Sequence, residues 1–177
     1  MALTLDGATG NITGLEVLGP QLPSGAILQV KQTVKTDVGS FTSSNTNTFA
    51  DIPGMSVSIT PSSTSSKILV MFTANCSQST TATTHIRLQR GSTSIFQGDA
   101  DSNRFGSTQI DRTASSPYTL QLNSLTGAFL DSPSTTSATT YKLTGTLGST
   151  YNGTFYINRA SDDSNNLDYT PRTASSI

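Results

Sequence analysis

The chain reads as an all-β protein, an antiparallel jelly-roll sandwich of about eight strands preceded by a short extended N-terminal arm. Three observations predict this. Helix-forming composition is missing: Glu16 is the only glutamate, and Ser, Thr and Asn stand where a helix takes Glu, Lys, Gln or Ala. What remains is short runs in which β-branched and aromatic residues alternate with polar ones. These runs recur with turn signals between them at intervals of about 8–12 residues, which is the spacing of a sandwich or barrel.

Residues 1–25, MALTLDGATGNITGLEVLGPQLPSG, stand apart. Gly, Pro and isolated aliphatics follow no sustained period, so this segment builds no core by itself. Leaders are often flexible tails, but the aliphatics Leu3, Leu5, Ile12, Leu15 and Val17 favour an arm that buries them on a partner or between identical chains. Pro20, Pro23 and Gly25 mark its end. The expected organisation is therefore an arm over 1–25 and a head over 26–177. The opening has neither the basic region nor the apolar core of a secretory signal.

The head is expected to begin with a strand over 26–35, with Leu28, Val30 and Val34 on one face and Gln29, Lys31, Thr33 and Lys35 on the other. Residues 55–60 turn Met55, Val57 and Ile59 inward. Residues 67–74, KILVMFTA, form a continuous apolar run, the pattern of a strand covered on both faces. Residues 84–90 place Ile86 and Leu88 inside, with His85, Arg87 and Gln89 outside. Residues 117–130 align Tyr118, Leu120 and Leu122, followed by Phe129 and Leu130. Residues 139–147 bury Tyr141, Leu143 and Leu147, residues 154–159 form a further short strand, and the chain ends on TASSI. Two echoes, TPSSTSSK at 60–67 against SPSTTSA at 132–138 and RTASS at 112–116 against 172–176, read as similar loop chemistry at equivalent edges of a sandwich.

Composition excludes several functions. Charged residues make up 12% of the 177 and the net charge is −1, which leaves no electrostatic footprint for nucleic acid or an acidic membrane. No apolar run approaches the roughly 20 residues of a membrane span. One cysteine, Cys76, rules out an internal disulfide and reads as a small buried hydrophobe. Ser and Thr fill roughly a third of the chain, so its surface is coated with hydroxyls.

Chemistry is nearly absent. His85 is the only histidine, and neither a G-x-S-x-G elbow nor an evident partner accompanies it, so a surface or interface role is expected. Asp99-Ala100-Asp101-Ser102-Asn103 imitates the start of a calcium loop, but Arg104 stands where glycine is needed and Ile110 where the terminal Glu belongs, so a polar turn is expected. Asp162-Asp163, beside Ser164, Asn165 and Asn166, reads as a solvated loop. No carboxylate pair stands out for glycoside hydrolysis. Tyr118, Tyr141 and Tyr156 fall on strands and suit core or subunit contacts, whereas Tyr151 and Tyr169 lie in loops and suit sugar stacking. No catalytic residue, cofactor or metal is expected.

The leader MALTLDGATGNITGLEV resembles the opening of tailed-bacteriophage fibre and appendage proteins, especially of marine and cyanobacterial phages. The body, from GAILQVKQTVKTD to RTASSI, is similar in order and wording to virion proteins with a C1q/TNF-like jelly-roll head; SITPSSTSSKILV, LDSPSTTSATTYK and YINRA are its most specific stretches. The resemblance implies a head that assembles as a homotrimer and an arm that attaches it to other virion proteins on the exterior of the particle. It also implies several further residues after RTASSI. On this reading the protein mediates host attachment, possible host-surface glycans included, through loops at 99–106 and 161–169. Their candidate receptor-facing residues are Asp99, Asp101, Asn103, Arg104, Asp162, Asp163 and Tyr169. A capsid decoration protein of the same fold is the alternative, favoured by the short leader, and a soluble carbohydrate-binding module comes third. Nothing in the residues supports an enzyme.

Overall fold

A computed structural model describes residues 4–5, 12–13, 26–43, 48–104, 106–112, 121–148, 152–165 and 170–177. The chain divides into two units, Met1–Val30 and Lys31–Ile177. In the first, β1 (Thr4–Leu5) pairs antiparallel with β2 (Ile12–Thr13), setting Leu5 opposite Ile12. Leu3, Leu15 and Val17 lie outside the described residues.

The second unit is built of strands and loops, and no helix occurs among its described residues. Its strands are β3 (Val34–Lys35), β4 (Gly39–Ser43), β5 (Ala50–Ile59), β6 (Ile68–Gln78), β7 (Thr83–Arg90), β8 (Thr93–Phe96), β9 (Gln109–Arg112), β10 (Asn123–Asp131), β11 (Thr139–Leu147), β12 (Gly153–Ile157) and β13 (Ser175–Ser176). They form two antiparallel sheets. Sheet one is organised around β6, which pairs with β10 along one edge and with β13 and β12 along the other. β3 then joins β13, and β4 joins β12. Sheet two runs β5-β11-β7-β8, with β9 also on β7.

The sheets pack face to face, as the alternation in the strands requires. Val70, Phe72, Ala74, Cys76, Phe155 and Ile157 from sheet one meet Ile52, Met55, Ile86, Leu88, Leu143 and Leu147 from sheet two in one core. The Phe96 and Phe129 rings stack at 5.1 Å between β8 and β10. One buried polar cluster ties the sheets together. Asp131, at the end of β10, accepts hydrogen bonds from Arg90 Nη1 at 2.8 and 2.9 Å and from the Tyr141 hydroxyl at 2.7 Å. Burial, and then this carboxylate, push the Tyr141 hydroxyl pKa well up.

The C-terminal segment is part of the body. β13 lies between β3 and β6, Ile177 is buried, and its backbone exchanges hydrogen bonds with Thr33 at 2.8 and 3.0 Å. Asn158, at a positive φ of 65°, donates from Nδ2 to the carbonyls of Lys35 and Asp37 at 2.8 and 2.9 Å.

Two expectations are corrected. Residues 26–35 are not one strand. Only Val34–Lys35 form a strand, and the sides are reversed, with Val34 exposed and Lys35 buried. The cause lies in two glycines. Lys35 runs its aliphatic stem past Gly39 and Gly54, where a Cβ would come within 3.4 and 3.1 Å of it, and reaches Asp37 Oδ1 at 2.9 Å. Gly54 also holds a φ of 74°, where the register of β5 against β11 slips. The second correction concerns β6. Leu69 and Met71 are 59% and 63% exposed, so this apolar strand is covered on one face only in the isolated chain. Tyr118 and Leu120 lie outside the described residues.

Candidate functional site

The expected receptor-facing loop after β8 has a defined shape. Its ends are pinched where Gly98 N–H donates to the Ser107 carbonyl at 3.1 Å. Its tip is a tight turn. Asp101 and Arg104 exchange backbone hydrogen bonds of 2.9 Å, Ser102 takes a φ of 53°, and the Asp101 and Arg104 side chains form an ion pair. Gly106 is required at the neck, since any Cβ there would run into the Gly98 carbonyl.

β7 holds this loop from beneath. Arg87 Nε donates to the Gly106 carbonyl at 2.7 Å while its guanidinium lies 3.7 Å from the centre of the Phe49 ring. His85 Nδ1 lies 2.9 Å from Ser107 Oγ. Thr108 N–H donates to the Ile86 carbonyl at 2.8 Å. The outward position predicted for His85 is correct, but the loop half-covers it. Burial, and then the charge of Arg87, lower its pKa to about 4, so the imidazole is neutral at pH 7.

Between the loop, β9 and the end of β11 lies an open cleft of about 540 Å³. Of the expected residues, Asp99, Asn103 and Arg104 line it, joined by His85, Ser107 and Ile110. Glycines at 98, 106 and 148 line it as well. Asp101 does not line it and is bound instead to Arg104. Sequence reasoning missed Ser107, Thr108, Gln109, Ile110 and Gly148; the legible signal was the pair of glycines, 98 and 106, bracketing a polar stretch. No group of three or more His, Cys, Asp or Glu suited to a metal ion occurs among the described residues, and the calcium-like run is a polar turn.

Of the second expected loop, Asp162 and Asp163 do not line this cleft. Asp162 Oδ1 accepts from Ser164 N–H at 2.9 Å. Asp163 lies between Arg172, at 2.6 Å, and Arg159, at 3.8 Å, so both cations answer its charge. Tyr169 and Tyr151 lie outside the described residues.

A different feature occupies the outer face of sheet one. Cross-strand neighbours there are Leu69 with Leu130, Met71 with Ala128, and Thr73 with both Thr126 and Ser176; Val34 follows beside Ser176. Val34 and Leu130 are 54% and 59% exposed. Farther along, Ser40 and Thr42 of β4 and Thr154 and Tyr156 of β12 continue the face. None of these residues carries a charge. No protein-family model matches the chain, and no curated protein matches it.

Proposed function

We propose that this chain is a structural protein of a bacteriophage virion, a homotrimeric fibre or appendage tip. On this reading the head is a jelly roll, and the segment over residues 1–25, with Leu3, Leu5, Ile12, Leu15 and Val17, anchors it on the exterior of the particle. Host attachment is its role. The order β4-β12-β6-β10 facing β5-β11-β7-β8 supports the jelly roll, since it links the strands as two Greek keys.

The observation that carries the assembly reading is the uncharged apolar face of Leu69, Met71, Leu130 and Val34. The first half of β6 leaves Leu69 and Met71 in solvent, whereas Ala74–Gln78 are buried on both faces. Further copies of the same chain are the occupant that fits. The face is rimmed by Ser and Thr, which hydrogen-bond across a subunit boundary without the cost of burying charge. Burying a single Leu or Met stabilises by about 1.5–3 kcal/mol, so a few such residues per copy suffice to favour association.

Sedimentation equilibrium of the full chain tests the assembly. A trimer is expected, and a concentration-independent monomer would overturn it. Antibody labelling of intact particles, viewed by electron microscopy, tests the site of action. Label at the tail end supports attachment, label over the head makes the protein a capsid decoration, and unlabelled particles remove the virion reading.

A further inference from the structure

We infer that the cleft between the 98–108 segment, β9 and the end of β11 is a binding site for a neutral saccharide. The inference deepens the attachment reading and rests on it for its biological meaning, while its geometry stands alone.

The volume, about 540 Å³, falls within the range of roughly 300–1,000 Å³ typical of small-ligand sites. The wall mixes hydrogen-bonding types at short intervals: the Asp99 carboxylate accepts, the Asn103 amide donates and accepts, and the Ser107 hydroxyl does both. That is the complement of a ring bearing several hydroxyls. Among the described residues the apolar side chain there is Ile110, which is 58% exposed and directly opposite His85 in the β7–β9 register. A sugar ring presents one face of C–H groups, and Ile110 gives that face something to lie on.

Charge disfavours the other ligand classes. Arg104 lies against Asp101, whose carboxylate offsets its charge toward an anion. His85 is neutral at pH 7 and adds no positive charge. A divalent cation finds Asp99 without the further carboxylates it needs.

The site is also built before any ligand arrives. The Gly98–Ser107 neck, the 101–104 turn and the support from Arg87 and His85 fix the wall. A preformed wall lowers the ordering cost of binding, which matters for a ligand that makes few contacts. Trimeric display would multiply a weak single-site affinity.

The test titrates the isotope-labelled full chain with glucose, galactose, mannose and N-acetylglucosamine separately, each to about 50 mM, above the millimolar dissociation constants of weak binding. Amide shifts confined to residues 98–110 and 148 are expected with at least one sugar. Asn103→Ala should weaken that binding by about tenfold or more. Gly98→Leu should abolish it by filling the cleft, because a Cβ there meets no atom within 4 Å and the backbone tolerates it. Unchanged melting of both variants shows that the fold is kept. Silence with all four sugars, shifts spread over other surfaces, or binding that survives both variants would overturn the inference. Shifts with inorganic phosphate or calcium in place of sugars would overturn the ligand class. Particles that label at the tail while the protein ignores sugars sink this inference alone; sugar binding by a protein absent from particles sinks the virion reading alone.

Discussion

The two outer faces of the sandwich are made by the same kind of strand and differ in nearly everything else. The face of sheet one carries an apolar, uncharged patch, with Leu69, Met71, Leu130 and Val34 open to solvent, and Arg159 lies over Tyr156 at its far end. Sheet two carries His85, Arg87 and Lys142 outward, and a loop beside its β7–β9 edge borders an open cleft. Lys142 is matched by Asp51 at 2.7 Å, and Arg87 is held by a carbonyl and an aromatic ring. The difference teaches where each kind of function can reside. Burying a whole face against another copy is cheap only where no charge must be desolvated. Recognising a small polar ligand needs fixed donors and acceptors in a concavity.

The strongest way to break this comparison is to place charge on the face that lacks it. Leu69→Lys with Met71→Lys should turn the proposed trimer into a monomer by sedimentation equilibrium, with the β-sheet signal in circular dichroism unchanged. The same two lysines at Ser56 and Ser58, exposed on β5 of sheet two, should leave the mass alone. If the Ser56/Ser58 variant also dissociates, or the Leu69/Met71 variant does not, the two faces are not distinct in the way described.

The next test concerns what holds the faces back to back. Asp131→Ala strands the Arg90 guanidinium and the buried Tyr141 hydroxyl at the meeting point of the two sheets. Arg90 is about a third exposed and recovers some hydration, so the loss should be about 2–3 kcal/mol rather than the larger penalty of a fully buried pair. Urea unfolding at fixed protein concentration measures it. A loss well below 1 kcal/mol would mean that apolar packing alone joins the sheets.

Much of the fold was legible in the residues. The alternation in 55–60, 84–90 and 139–147 placed Met55, Ile86, Leu88, Tyr141, Leu143 and Leu147 inside, and all six are buried. In these strands one face is apolar and one polar, so a period of two has a single solution. The pattern misled at 26–35, where the same alternation gave the reversed result. The missing information was non-local: Gly39 and Gly54, distant in sequence from each other, open the slot that takes in the Lys35 stem. The continuous run was misread only at Leu69 and Met71, because an unbroken apolar run does not say whether a layer covers each face. The cleft was half legible. Asp99, Asn103 and Arg104 could be named as a polar loop, whereas Ile110 and Gly148 join them only through the pairing of β9 and β11 with β7.

A smaller effect sharpens the account of Lys35. Gly54→Ala must hold a φ of 74° and press a Cβ to 3.1 Å from the Lys35 stem, which should cost about 1–2 kcal/mol in urea unfolding. Lys35→Met keeps the stem and gives up only the ion pair with the mostly exposed Asp37, so it should stay within about 1 kcal/mol of the parent. If the methionine variant is the more damaging of the two, the ammonium rather than the stem fills the slot.

The smallest expected effect belongs to His85, and it separates the two faces by pH. In the folded chain burial and Arg87 hold its pKa at about 4, against 6.5 for an ordinary histidine. Below pH 6.5 the unfolded chain therefore takes up a proton that the folded chain refuses, so the stability linked to the neutral imidazole is complete above 6.5 and is lost as pH falls toward about 4. The ring is only half-buried, so the slope is modest. His85→Gln removes the titration, and its melting temperature should fall less steeply than that of the parent over this window. Association through the Leu69, Met71, Leu130 and Val34 patch, none of which titrates, should not follow His85 at all. A trimer whose dissociation tracked this histidine would place the cleft loop at the subunit boundary and erase the division of labour between the two faces.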